Sequence, residues 1–139
     1  MIVEVFLDTN VIVYAASKLP ADAAKQTVAM ELLSTANLGT SAQVLQEFYT
    51  ISTRKIATPL SHDEALDWLE NFEEVPCAAI DLALVLQGAE NARRFKISYW
   101  DGAVIAAAER LGATTLFTED LNHGQKYGSV TVINPFRVQ

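Results

Sequence analysis

Across MIVEVFL, residues 1–7, every position but Glu4 is apolar, and the run stops at an acid, Asp8, followed by Thr9 and Asn10. Such a run predicts a strand over 2–7, buried on both faces in the middle of a parallel sheet. A helix is predicted from Asn10 to about Ser17, and ADAAKQTVAMELLST gives a second, with Val28, Leu32 and Leu33 on one face. A short strand follows near Leu38–Thr40. Thr40 has Gln43 three residues on, a capping-box pattern that opens a helix through about Arg54. Ser61 and Glu64 repeat that pattern ahead of a stripe made by Ala65, Leu66, Leu69 and Phe72. Residues 75–80 read as a short edge strand, where Pro76 is tolerated, and 81–95 as a helix. Ser98 and Asp101 form a third capping-type pair before DGAVIAAAERLG, which ends at Gly112 as helices often do. TTLFT, 114–118, and VTVIN, 130–134, read as the last two strands.

Strands alternating with helices predict an α/β domain with a parallel sheet and right-handed crossovers. A length of 139 residues predicts one domain spanning 1–139. With 50% hydrophobic and 19% charged residues, the composition is that of a compact globular chain and not a disordered one. The first apolar stretch lacks a basic flank and meets Asp8 too soon to serve as a signal or anchor, and no window is long enough to span a membrane. The lone cysteine, Cys77, has no internal partner for a disulfide, so a cytoplasmic location is expected.

Net charge is −7, from 17 acids and 10 bases, the reverse of the basic balance that phosphate contacts usually leave. A chain that gathers carboxylates around divalent cations escapes this objection, because the loaded site is far less negative. Placement of the acids therefore decides. In open parallel sheets, ligands bind outside the carboxyl ends of the strands. Asp8 lies at the carboxyl end of the first strand, and Thr118, Glu119 and Asp120 at that of TTLFT. Glu47 follows the 38–40 strand by two helical turns. Asp101 reaches the same rim only if 75–80 is a parallel strand and the chain returns to that edge before its helix starts. Taken singly, each acid has an ordinary reading: Asp8 and Asp101 as helix caps, Glu47 as a solvated residue or partner of Arg54, Asp120 as a turn former. Taken together, carboxylates sharing one cleft repel and desolvate one another, and a divalent cation removes that conflict. An all-oxygen set without Cys or clustered His suits Mg²⁺, with Mn²⁺ as the alternative. His62 and His123 share no ligand spacing and read as surface polar residues.

FLDTNVIVYA at 6–15, QEF at 46–48, SYWDGAVIAAAERLGATTLFTEDLNHGQ at 98–125 and VINPF at 132–136 resemble the PIN-domain nucleases, and within them the VapC-type toxins of toxin–antitoxin pairs. The resemblance covers essentially the whole chain. It implies a PIN-like three-layer α/β fold, with a central parallel sheet flanked by helices. It also implies metal-binding roles for Asp8, Glu47 and Asp101, with Asp120 as a fourth, more variable acid. Asn10 matches a polar residue that hydrogen-bonds within the cluster, and Thr118 a hydroxyl that orients carboxylates or a metal-bound water. Glu119 is an alternative ligand ranked below Asp120, since consecutive strand residues face opposite ways. The implied activity is Mg²⁺-dependent endoribonuclease cleavage of RNA. The implied partners are a cognate antitoxin and a second copy of the chain in a homodimer.

Arg93, Arg94 and Lys96, with Arg54, Lys55 and Lys126, are candidates for phosphate contacts, against the reading of cations solvating helix ends. Tyr99 and Trp100 are read as core staples ahead of a helix, with base stacking as the alternative. Haloacid-dehalogenase-like phosphatases need a second aspartate where Asn10 stands, and receiver domains need an acid pair and a lysine, so neither class fits. A catalytically silent PIN module that only binds partners, and a housekeeping PIN nuclease, are the alternatives that the sequence leaves open.

Overall fold

A computed structural model describes residues 2–137. It contains β1 (Val5–Leu7), α1 (Thr9–Ala15), α2 (Ala23–Leu33), β2 (Leu38–Ser41), α3 (Ala42–Thr50) and α4 (His62–Glu70). These are followed by β3 (Cys77–Ala78), α5 (Leu82–Phe95), α6 (Tyr99–Leu111), β4 (Thr115–Phe117), β5 (Lys126–Tyr127) and β6 (Val130–Ile133). The six strands form one sheet in the order β3-β2-β1-β4-β6-β5, parallel throughout except for β5. Helices flank this sheet, as the alternation of elements predicts.

Strand pleating sorts the apolar residues to two faces. Phe6 and Leu116 pack with Ile105 of α6 and Val132 of β6. Leu7, with Val5 and Phe117 beside it, packs against Val11, Ala15 and Ala29 of α1 and α2. β1 is shorter than the apolar run around it: Ile2 is exposed, and only Val5 and Phe6 are registered with parallel neighbours on both sides. The β5–β6 hairpin is an element that the apolar pattern did not predict. Its strand of two residues is too short to show a period, although its turn, Gly128-Ser129 with Gly128 at φ 63°, is of the usual hairpin chemistry.

Local details differ from the sequence reading in ways that bear on the site. Ser41, not Thr40, caps α3 by accepting from the Val44 N–H at 3.2 Å, while the Thr40 hydroxyl donates to the Leu7 carbonyl at 3.1 Å. Gln43 is thereby released from the capping role. Beyond Thr50 the chain widens into a π turn, Ile51–Lys55, with the buried Ser52 hydroxyl bonded to the Phe48 carbonyl at 2.6 Å. Ser61 and Glu64 form the reciprocal box that their spacing predicts. On α4, however, Leu66 is exposed, and Trp68 packs inward toward Phe48 instead.

The long return from β3 to β4 is a helical hairpin. Arg110 near the end of α6 pairs with Asp81 at the start of α5, and Asn91 Nδ2 donates to the Gly102 carbonyl at 3.0 Å, so the two helices run antiparallel. The end of α6 lies beside the amino end of β1, where Thr114 N–H donates to the Glu4 carbonyl at 3.0 Å. α6 must therefore begin at the opposite, carboxyl edge of the sheet, carrying Asp101 there. The condition that placed Asp101 on the rim is met: β3 is parallel to β2, and α5 brings the chain back.

Close approach of α5 and α6 requires glycine at their crossing. A Cβ on Gly102 would collide with the Gly88 carbonyl oxygen and come within 3.0 Å of the Ala92 nitrogen. Backbone atoms cannot yield as a flexible side chain can. Gly102→Ala is therefore expected to lower stability by about 1–3 kcal/mol, the usual range for overpacking, measured by chemical denaturation. A wild-type midpoint would mean that the hairpin separates without cost.

Candidate active site

The strand order reverses at β1: the chain steps from β1 to β2 on one side and later returns to β4 on the other. A crevice outside the strand carboxyl ends is expected at this switch point, and a cleft of about 430 Å³ lies there. Asp8, Glu47, Asp101, Glu119 and Asp120 all line it, together with Asn10.

Register assembles the centre. Leu7 pairs with Phe117, so the next residues, Asp8 and Thr118, leave the sheet side by side, and the Asp8 N–H still donates to the Phe117 carbonyl at 3.1 Å. The Thr118 hydroxyl donates to Asp8 Oδ2 at 2.7 Å. It accepts from Asn10 Nδ2 at 3.2 Å and from the Asp120 N–H at 3.1 Å. Asn10 Nδ2 also reaches Asp120 Oδ2 at 3.2 Å. Thr118 is fully buried and Asp8 nearly so. Asp8 does cap α1, but through a 2.7 Å bond from Thr9, the first helical N–H, to Oδ1.

The electrostatic cost of this grouping falls on Asp8. Burial pushes its pKa from 3.8 up to about 7; the Thr118 and Thr9 hydrogen bonds offset part of that, and the charges of Asp120 and Glu47 add to it. Burial also raises Asp101, with the Ser98 hydroxyl opposing and Asp120 adding. Asp120 is raised by desolvation, opposed by Asn10 and reinforced by Glu119.

Glu119 and Asp120 have separate partners. Glu119 accepts from the Tyr14 hydroxyl at 2.9 Å and lies 3.6 Å from Lys25, whose ammonium sits 4.5 Å over the Tyr14 ring. Asp120 belongs to the Asn10–Thr118 network. Glu47 is held by Gln43, whose Nε2 donates to Glu47 Oε1 at 2.9 Å and to the Trp100 carbonyl at 3.2 Å. That amide ties the second acid to the residue just before the third, a link that single-sequence reading missed because the Thr40–Gln43 spacing imitates a cap. Tyr99 is partly covered, but Trp100 is 64% exposed at the cleft, so the core reading of Trp100 does not hold.

Arg93, Arg94 and Lys96 do not line the cleft. Arg93 makes a two-oxygen pair with Glu90, Arg94 lies over the Phe95 ring, and Lys96 ends α5 in the left-handed conformation. Lys55 lies nearer, in a depression shared with Glu47 and Ile51.

Among the described residues, no three His, Cys, Asp or Glu side chains gather in a way that would hold an ion together. The acids thus share a cleft without closing a cage. That arrangement does not suit a closed zinc site. It does suit Mg²⁺, which keeps several waters and is held through one or two carboxylates together with substrate phosphates. Asn10 Oδ1, buried beside the carboxylates, lacks a hydrogen-bond donor, and a cation-bound water would supply one. The donor set fits a hard divalent cation.

A family model for the PIN domain matches residues 5–128. No curated protein sequence matches the chain. Among solved structures, the fold is shared with Mycobacterium tuberculosis VapC20, a sarcin-ricin loop cleaving toxin: TM-score 0.67, 20% identity, 84% of this chain and 90% of that one. It is shared with VapBC2 from Rickettsia felis, bound to a DNA fragment from its promoter: TM-score 0.61, 19% identity, 95% and 97% covered. VapBC-5 from Mycobacterium tuberculosis, of the VapBC toxin–antitoxin family, gives TM-score 0.56 and 18% identity, with 92% and 95% covered.

Below the ordinary value of 3.8, Asp8 is protonated in the folded and unfolded chain alike. Between 3.8 and about 7 the unfolded chain loses that proton while the folded one keeps it, so stability falls as pH rises and then levels off. In metal-free protein, Asp8→Asn should therefore gain on wild type across this window, by on the order of 4 kcal/mol at pH 8. Denaturation midpoints at acid and alkaline pH test this; a pH-independent difference would refute it.

Proposed function

The chain belongs to the PIN-domain family, and from that premise we propose that it is a Mg²⁺-dependent endoribonuclease acting as the toxin of a toxin–antitoxin pair. The observation that carries this reading is the convergence of Asp8, Glu47, Asp101 and Asp120 on one cleft at the switch point of the sheet. Asp8, Glu47, Asp101 and Asp120 are the candidate ligands, of which one or two would hold the cation directly and the others through its waters. Asp120 is preferred to Glu119 because Glu119 is engaged by Tyr14 and Lys25. A bound divalent ion would lower the pKa of a water for attack on phosphorus and stabilise the charge on the leaving 3′ oxygen.

The rest is done by the chain itself. Thr118 fixes the Asp8 carboxylate, and Asn10 spaces Asp8 from Asp120 through the shared hydroxyl. Gln43 sets Glu47 relative to the start of α6. No protein nucleophile is called for, and among the described residues none of the acids is paired with a histidine.

Partners follow from the same reading. A cognate antitoxin would cover the cleft, consistent with the VapBC assemblies that share this fold. A homodimer would bury the exposed apolar row of Ile80, Leu82, Val85 and Leu86. Among the described residues no helix is long and apolar enough to cross a membrane. We place the protein in the cytoplasm, where its RNA substrate and antitoxin would be met.

Purified protein free of antitoxin should cut RNA in Mg²⁺ and not in EDTA. Asp8→Ala and Asp101→Ala should fall to background with folding intact. Thr118→Val removes only the hydroxyl that orients Asp8, so metal affinity by calorimetry should drop roughly 10–100-fold. Folded wild type that binds no divalent ion and cuts no RNA would replace this reading with that of a silent interaction module.

A further inference from the structure

Six carboxylates line the cleft, those of Asp8, Asp22, Glu47, Asp101, Glu119 and Asp120, and among the described residues no Lys, Arg or His lines it with them. The Ser17 hydroxyl donates to Asp22 Oδ2 at 2.6 Å, and Asp8, Glu47 and Asp120 are held by neutral donors. Glu119 differs. Among the described residues it is the one cleft acid that an ion pair reaches.

That pair belongs to a fixed cluster. Tyr14 of α1 donates its hydroxyl to Glu119 Oε1 at 2.9 Å, and Lys25 of α2 lies 3.6 Å from Oε2, so each carboxylate oxygen has its own partner. Lys25 also donates to the Tyr14 hydroxyl at 3.0 Å, which closes the three side chains into a ring of contacts. Its ammonium sits 4.5 Å over the Tyr14 ring and 5.8 Å from the Phe136 ring, and Phe136 meets Tyr14 edge-on at 4.8 Å. An isolated exposed ion pair contributes little; here a charge-assisted hydrogen bond and an aromatic face supplement it.

Position makes the restraint consequential. Glu119 adjoins Asp120 and lines the same cleft, and its charge helps to raise the Asp120 pKa, so the two carboxylates lie within electrostatic reach of each other. To ligate a cation, Glu119 would have to leave both Tyr14 and Lys25, whereas Asp120 Oδ2 would leave only the Asn10 amide. The number of carboxylates matters to the choice of ion. Mg²⁺ keeps several waters and takes one or two carboxylates in a strict octahedron, whereas Ca²⁺ accepts roughly six to eight oxygens in a looser shell.

We propose that Tyr14 and Lys25 are positioning residues that hold Glu119 off the cation, so that the centre stays short of carboxylates and favours Mg²⁺ over Ca²⁺. The proposal rests on the metal-dependent reading and adds the two residues that decide how many acids the ion meets. Tyr14→Phe with Lys25→Met frees Glu119 to turn toward the cleft, while the ring that packs on Phe136 stays in place.

Calorimetric titration of metal-free protein with Mg²⁺ and with Ca²⁺ tests this independently of cleavage. The Tyr14→Phe, Lys25→Met double variant should bind Ca²⁺ roughly 10-fold more tightly than wild type, the scale of one hydrogen bond to a charged group, and Mg²⁺ by a smaller factor. Each single substitution should give part of the gain. Loss of the lysine charge alone would favour any cation, so the same substitutions are repeated over Glu119→Gln, where the added preference for Ca²⁺ should vanish. Should the double variant fail to fold, Lys25→Met carries the comparison by itself, because that side chain is 43% exposed. Equal gains with and without Glu119, equal gains for the two ions, or no gain at all would overturn the proposal and leave the Mg²⁺ nuclease reading intact. Wild type that takes up neither ion would bring down both.

Discussion

The site depends on the parallel pairing of β1 with β4. These strands are 110 residues apart in sequence at Asp8 and Thr118, yet their register ends them flush, so that one hydroxyl can bond one buried carboxylate. The contacts of Asn10 and Asp120 build on that bond. Asn10 meets Thr118 because α1 starts directly after β1, and Asp120 returns its N–H to the same hydroxyl because the chain turns at once after β4. A slip of one residue in this register would turn Thr118 to the other face and leave Asp8 without its donor.

This pairing also brings negative charges together without pairing them with cations. The site is held by neutral donors, namely Thr118, Asn10 and Gln43, each of which fixes an oxygen without cancelling its charge. The exception is Glu119, which Lys25 and Tyr14 engage at the edge of the cleft. Asp8, Asp101 and Asp120 are consequently raised toward protonation by burial, Asp8 to about 7. Binding of a divalent cation, as proposed for this cleft, would offset that cost.

Positions that read correctly from sequence were those where local chemistry and global topology agree. The apolar runs at β1 and β4, the Ser61–Glu64 box and the glycine end of α6 all announce themselves within a few residues. Misreadings came where a local pattern had two physical uses. Thr40-x-x-Gln43 imitates a capping box, but Ser41 takes the cap, because the Thr40 hydroxyl is drawn across the sheet to the Leu7 carbonyl. Trp100 has the composition of a core residue, and only the antiparallel packing of α5 and α6 turns it toward the cleft while holding Tyr99 partly covered. Arg93 and Arg94 look like a phosphate clamp in one dimension, but α5 directs them to Glu90 and Phe95 instead.

By itself, the sequence determined the alternation of strands and helices, and with it a parallel sheet whose carboxyl edge carries acids. Hydrophobic periodicity and capping are properties of neighbouring residues, so they can be read along the chain. Tertiary structure decided which oxygens meet which donors, and how Glu119 and Asp120, consecutive in sequence, come to have different partners. It also decided that α6 starts at the carboxyl edge, which no local pattern specifies. Those outcomes depend on strand order, register and helix direction, and each is set by contacts between residues that the chain keeps far apart.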